Sequence, residues 1–175
     1  MSKNFKDKGV LITEENSLLC KLIVEYRPRL YRIAVGILRN GTDAEDAVSE
    51  TTCKAFANFH KLKDIEKFKS WIIKILINEA YAISNKRKRF VELAENIVDD
   101  RYDTNIVDTI VLWDAINALD DSFRIVAIMF YYEDMSIKEI SKVLNIPVGT
   151  VNSRLNRSRQ KLKKILIHEG EYQYV

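Results

Sequence analysis

From Val148 to Lys164 the chain carries six bases (Arg154, Arg157, Arg159, Lys161, Lys163, Lys164) and no acid. Asn152, Ser153, Asn156 and Arg157 fall together on one face when this stretch is wound as a helix, four hydrogen-bonding side chains with no apolar one among them. Arginine clamps phosphates or reads guanine edges, and asparagine matches adenine. That is chemistry for recognising a nucleic acid rather than for breaking bonds. Bond chemistry has no comparable support in the sequence. His60 and His168 lie far apart without a motif around either, and there is neither a glycine-rich phosphate loop nor metal-ligand spacing. The acids between Asp43 and Glu50 are scattered by helical spacing rather than converging on one ion. The expectation is a protein that is not an enzyme and needs no cofactor or metal.

Reading helices must be held by something, and the preceding residues supply it. Ser136 followed by Glu139 is a capping box that starts a short helix, on which Ile140 and Leu144 share a face and Ser141 allows close approach. Asn145 tolerates a left-handed turn, and Pro147 suits the first turn of the next helix. Val148, Val151, Leu155 and Leu162 then form an inward stripe. The pattern is a helix-turn-helix whose second helix offers its polar face to a major groove.

The rest of the 175 residues reads as helical too, with only 5 Gly and 2 Pro and no sustained period-two alternation. The fold class expected is all-α, as two small domains. Thr13 caps a first helix bearing Leu19, Leu22, Ile23 and Tyr26; Pro28 interrupts it and opens a second with Leu30, Ile33, Ala34, Ile37 and Leu38, ended by Asn40-Gly41. Thr42 and Glu45 form another capping box for a helix to about Asn58, with Ala47, Val48, Ala55, Phe56 and Phe59 inward. A lysine-rich connection, Phe59 to Lys67, leads to a helix from about Phe68 to Arg87 with a stripe of Phe68, Trp71, Ile72, Ile75, Leu76 and Ile83. After an acidic stretch come Leu112, Trp113, Ile116 and Leu119, then Phe123, Val126, Ala127 and Phe130, on two more helices. The expected boundaries are 13–90 for the first domain, 91–105 for a linker and 106–168 for the second.

The net charge of +3 says little, but its distribution says more. Six acids against Arg101 between Glu92 and Asp108 follow the basic block Lys86-Arg87-Lys88-Arg89, so two basic faces flank an acidic connector. Cys20 and Cys53 stand outside any CxxC or Cys/His cluster and are expected as small core or boundary residues. No apolar run is long enough for a signal peptide or a membrane span, which implies the cytoplasm and no direct membrane insertion.

Three blocks together make the chain resemble an extracytoplasmic-function sigma factor, the smallest branch of the sigma-70 specificity subunits of bacterial RNA polymerase. They are Asp43-Ala44-Glu45-Asp46-Ala47-Val48-Ser49-Glu50-Thr51; Phe68-Lys69-Ser70-Trp71-Ile72, running on to Asn78 and the basic run from Lys86; and Ile146 to Val151 with Ser153-Arg154-Leu155 and Arg157. The likeness covers roughly Leu18 to Leu166. It implies that the first domain docks on core RNA polymerase through Asp43, Glu45, Asp46, Val48, Glu50, Thr51 and Phe56. It implies that Lys61, Lys63, Trp71, Asn78, Lys86, Arg87, Lys88 and Arg89 meet the minus-ten element as opened single strand. Thr150, Asn152, Ser153, Arg154, Asn156, Arg157 and Arg159 would meet the minus-thirty-five duplex. It implies a further partner, an anti-sigma protein, often membrane-anchored, that holds the factor until a stress signal arrives. Ser49 stands where relatives commonly carry glutamine, and Asn152 and Asn156 where they carry basic or larger side chains. A rival reading, a stand-alone helix-turn-helix regulator, explains the second domain but leaves the acidic helix and the basic first domain without a role.

Overall fold

The computed structural model describes residues 14–93 and 110–172, and among these there are helices and turns but no strand. The helices are α1 (Glu14–Leu38), α2 (Gly41–Asn58), α3 (Phe68–Leu93), α4 (Ile110–Asn117), α5 (Asp121–Tyr131), α6 (Ile137–Leu144) and α7 (Val148–Tyr172). Two single 3-10 turns, Phe59–Lys61 and Ile65–Lys67, make up most of the connection between α2 and α3. Thr13 and most of the expected linker lie outside the described residues, although α3 continues to Leu93, past the expected Arg87.

Pro28 does not divide the first helix, contrary to the expectation from sequence. It sits inside α1, where its missing N–H leaves the carbonyl of Val24 without a helical partner. Val24 is 74% exposed, so water can serve that carbonyl. Buried Leu19 and Ile23 before the proline, and Leu30, Ile33 and Ala34 after it, fix both halves to the same core. The helix ends one residue earlier than Asn40-Gly41 implies: Arg39 takes the left-handed conformation at φ 51°. Asn40, not Thr42, then caps α2, its side chain accepting from the Asp43 amide at 2.9 Å.

The first three helices pack against one another around Ala44, Ala47, Val48, Phe68, Ile72 and Leu76. An aromatic group closes one end, with Phe68 between Tyr26 (5.4 Å), Trp71 (5.8 Å) and Phe59 (6.4 Å). On α3 the buried set is wider than the expected stripe, adding Ile73, Ile77 and Ala80. A second layer accounts for this: α6 packs on α3, and α5 packs on α1.

Helix α5 is the centre of the molecule. Six successive residues, Arg124 to Met129, are buried, because α1 covers one side and α7 another. Phe123 and Phe130, expected inward, are only half-buried at the margins. Arg124 is wholly buried, and its guanidinium donates to the carbonyls of Gly36 (2.5 Å), Leu119 (2.6 Å) and Asn117 (3.3 Å) and pairs with Asp121. Arg39 donates to the same Asn117 and Leu119 carbonyls, at 3.2 Å each. The carbonyls that end α4 and lead into α5 are thus capped by two arginines, one of them from α1. On the other flank of the contact, Arg32 and Lys69 converge on buried Glu133, Arg32 at 3.2 Å from its carboxylate and Lys69 on its backbone carbonyl. The two halves of the chain therefore share one continuous buried cluster. Both cysteines are exposed, against the expectation of core or boundary positions.

Candidate nucleic-acid interface

The helix-turn-helix is built from local hydrogen bonds. Ser136 accepts from the Glu139 amide at 3.3 Å, while the Glu139 carboxylate accepts from the Ser136 amide (2.8 Å) and hydroxyl (2.7 Å). These bonds to Ser136 hold the Glu139 carboxyl below its ordinary range. Asn145 adopts φ 53°, ψ 46°, its amide donating back to Ser141. The Ser141 hydroxyl spans the turn to the Ile146 carbonyl at 2.6 Å. The Pro147 carbonyl then accepts from Thr150 and Val151, starting α7.

One side of α7 is fixed to the scaffold by buried Val151, Leu155, Ser158 and Leu162. The Ser158 hydroxyl reaches the Phe123 carbonyl of α5 at 3.1 Å. Val148 is 43% exposed and does not join the stripe, which begins at Val151. On the opposite side Asn152, Ser153, Asn156 and Arg157 are exposed. Arg154 and Thr150 are half-buried on the flanks. Arg154 lies near enough to the Tyr81 phenol to lower its pKa, though burial outweighs this and leaves it raised.

The bases of α7 separate into two kinds. Lys161 pairs with Asp120 and lies 5.0 Å from the Phe123 ring centre, which pulls the Asp120 carboxyl down. Arg159 donates to the Tyr131 hydroxyl at 2.9 Å and to Asn156 at 3.2 Å. Among the described residues Arg157, Lys163 and Lys164 have no hydrogen-bond or ion-pair partner, and with Gln160, Lys161 and Ile167 they line a shallow basic depression along the outer face. Free cations next to exposed amides can bind a phosphate backbone while the amides reach base edges.

The acidic block occupies the exposed side of α2. Glu45 pairs with Arg27 (3.2 Å), Asp43 with Arg87 (3.3 Å) and Glu50 with Lys54 (3.7 Å), while Asp46 is exposed and unpaired among the described residues. Val48 (3% exposed) and Thr51 (0%) face the core, and the Thr51 hydroxyl is used up on the Ala47 carbonyl at 2.7 Å. These two residues hold α2 in place and are not available as docking contacts, which corrects the sequence-based assignment. Phe56, expected inward, is instead 41% exposed.

Of the residues assigned to a melted strand, Lys61, Lys63, Asn78, Lys86 and Arg89 are exposed. Lys61 donates to Asn58 at 2.7 Å. Trp71 is half-buried, with its ring against Phe59 and Phe68. Arg87 is engaged by Asp43, so it ties α3 to the start of α2. The Lys88 side chain lies outside the described residues. In the turns beside them, Lys67 lowers the Asp64 carboxyl and Asp64 raises the Lys67 ammonium.

Arg32, Gly36, Arg39, Arg124, Tyr131 and Glu133 were not singled out by sequence. An arginine inside the apolar run Arg124-Ile125-Val126-Ala127-Ile128-Met129 was the one signal on offer. The partners of the others are distant in sequence and carry no local mark.

Comparison with known proteins bears on both halves of the chain. The model for Sigma-70 region 2 matches residues 22–90, and that for Sigma-70, region 4 matches 110–162. The ECF RNA polymerase sigma factor SigW of Bacillus subtilis is 28% identical over 81% of this chain and 84% of its own length. The RNA polymerase sigma factor SigV of the same organism is 27% identical over 87% of this chain and 93% of its own length. Among solved structures, the sigma factor RpoE of Bartonella quintana, determined with the anti-sigma factor NepR, superposes with a TM-score of 0.77 at 24% identity, covering 86% of this chain and 97% of that one. CnrH, determined with the cytosolic domain of CnrY, gives 0.62 at 22% identity, covering 87% and 89%. These two establish a shared fold.

Proposed function

The chain belongs to the extracytoplasmic-function branch of the sigma-70 family, initiation factors that direct RNA polymerase to promoters, and from that premise we propose how its surfaces divide the work. The exposed acids of α2, Asp46 and Glu50 foremost, dock on core RNA polymerase. The 3-10 turns and the basic end of α3 meet the minus-ten strand once it is opened, with Lys61, Lys63, Lys86 and Arg89 on phosphates. Helix α7 enters the major groove of the minus-thirty-five duplex, Arg157 anchoring it beside Asn152, Ser153 and Asn156. The sequence boundaries 13–90 and 106–168 correspond on this reading to the two promoter grips. The protein supplies contacts and no bond chemistry of its own, and it works in the cytoplasm; no described helix is long and apolar enough to cross a membrane. Its regulator is an anti-sigma protein, by analogy with RpoE and CnrH, each determined with such a partner or its namesake counterpart.

One observation carries the reading: the polar face of α7 is exposed directly opposite the stripe that fixes the helix to α5. The test separates two surfaces. Arg157→Ala should weaken binding of the holoenzyme to minus-thirty-five duplex about 5- to 100-fold and reduce its salt slope by about one, with affinity for core polymerase unchanged. Glu50→Lys should weaken core binding and leave the isolated DNA contact intact. Equal loss of core affinity in both variants would refute the division of labour.

A further inference from the structure

We infer that Tyr131 is a positioning residue for base readout, acting through Arg159 to fix the amide of Asn156, and that Asn156 in consequence selects guanine over adenine. The inference rests on α7 lying in the major groove. Tyr131 is the last residue of α5, and its ring stands edge-on to that of Phe130 at 5.1 Å. The Arg159 guanidinium lies over Phe130 at 5.7 Å. It is held there by two hydrogen bonds: Nε to the Tyr131 hydroxyl at 2.9 Å, and Nη1 to Asn156 Oδ1 at 3.2 Å. A planar fork with fixed donors transmits orientation in a way a lysine cannot.

The consequence falls on Asn156. An asparagine that reads adenine needs both ends of its amide, the oxygen for the N6 amino group and the nitrogen for N7. Here the oxygen already accepts from Arg159 at 3.2 Å, so one of its two lone pairs is spent within the protein, while the Nδ2 amino group keeps both of its donors for a base. Two such donors meet two acceptors on guanine, N7 and O6, but only one on adenine, whose amino group opposes them. Arg159 therefore acts less as a direct contact than as the brace that decides which end of Asn156 reaches the DNA.

The test uses the intact holoenzyme, core polymerase plus the full chain, selected against duplex promoters randomised across the minus-thirty-five element. Asn156→Ala identifies the base pair that Asn156 reads. The wild type is expected to prefer guanine over adenine there by about 10-fold, within the range of one good base contact. Tyr131→Phe, which removes one hydroxyl from a 40% exposed ring, and Arg159→Lys should each cut that preference at least 3-fold at this pair alone. In an Asn156→Ala background neither should change the profile further. An adenine preference in the wild type, or a Tyr131→Phe profile identical to wild type or uniformly weaker at all positions, overturns the inference. If Asn156→Ala and Arg157→Ala change no position at all, the assignment of α7 to the major groove fails first.

Discussion

Gly36 gives the sharpest test of how the two halves of the chain meet. It lies inside α1, and a Cβ added there would sit 2.2 Å from Ile128 Cδ1, with Cγ1 at 3.8 Å. In an isolated helix interior, Gly→Ala stabilises by roughly 1 kcal/mol. With α5 in place the new methyl overlaps the tip of a side chain that is itself 0% exposed. Overpacking of this kind costs about 1–3 kcal/mol. The sign therefore decides: Gly36→Ala should destabilise by up to about 2 kcal/mol if α1 and α5 touch, and stabilise by about 1 if they do not. Ile128→Val removes the one atom in conflict and alone costs about 0.5–1.5 kcal/mol. The double variant should then return near the wild type, because the alanine keeps its helical advantage without the clash. Urea unfolding of the full chain measures all four corners of the cycle. A coupling of about 1–3 kcal/mol is expected. Stabilisation by Gly36→Ala with additivity within about 0.5 kcal/mol would refute the contact.

The same contact should respond to pH through Glu133. Burial raises its carboxyl pKa above the ordinary 4.5 even with Arg32, Arg29 and Lys69 opposing, so its contribution is full below 4.5 and lost as pH rises through the folded value; stability measured against pH should fall over that window, and Glu133→Gln should flatten the slope. Ser136→Ala should remove the capping box and cost about 1 kcal/mol, read as faster amide exchange across α6. The Glu139 half of that cap has a lowered pKa, so its contribution is present above 4.5 and lost as pH falls through the folded value.

What the sequence revealed and what it concealed follow one physical division. The helix-turn-helix was legible because its signals are local: Ser136 with Glu139, Asn145 in a left-handed turn, Pro147 before a basic amphipathic run. The caps misled where two candidates stood two residues apart, Asn40 and Thr42, and only the residue that begins the turn can bond the third amide. Propensity favours a break at Pro28, but burial on both sides overrides about 3 kcal/mol of intrinsic cost. Val48 and Thr51 belong to a block that as a whole resembles a docking helix, but helical spacing turns them inward. The α1–α5 seam leaves only Arg124 within its apolar run as a local mark, since its partner Gly36 lies 88 residues away.

That seam also constrains how promoters can be reached. By their names the minus-ten and minus-thirty-five elements lie about 25 base pairs apart, on the order of 85 Å of duplex. A compact chain of this length has a radius of gyration of about 16 Å, so one closed body cannot hold both elements at their proper surfaces. The residues between Leu93 and Ile110 can span at most about 60 Å, enough to let two separated units reach. If the surfaces divide as proposed, engagement of both elements is expected to part α5 and α6 from α1 and α3, and an α1–α5 distance unchanged in the promoter-bound holoenzyme would refute this. The composition of the seam suits parting: besides its apolar residues it carries Arg32, Arg39, Lys69, Arg124 and Glu133. Charges of this kind recover much of their hydration on exposure, whereas a purely apolar seam would hold the halves together more strongly in water. Because α2 packs on α1 and α3, and α7 on α4, α5 and α6, the exposed acidic face of α2 and the exposed polar face of α7 would each keep its support through such a separation.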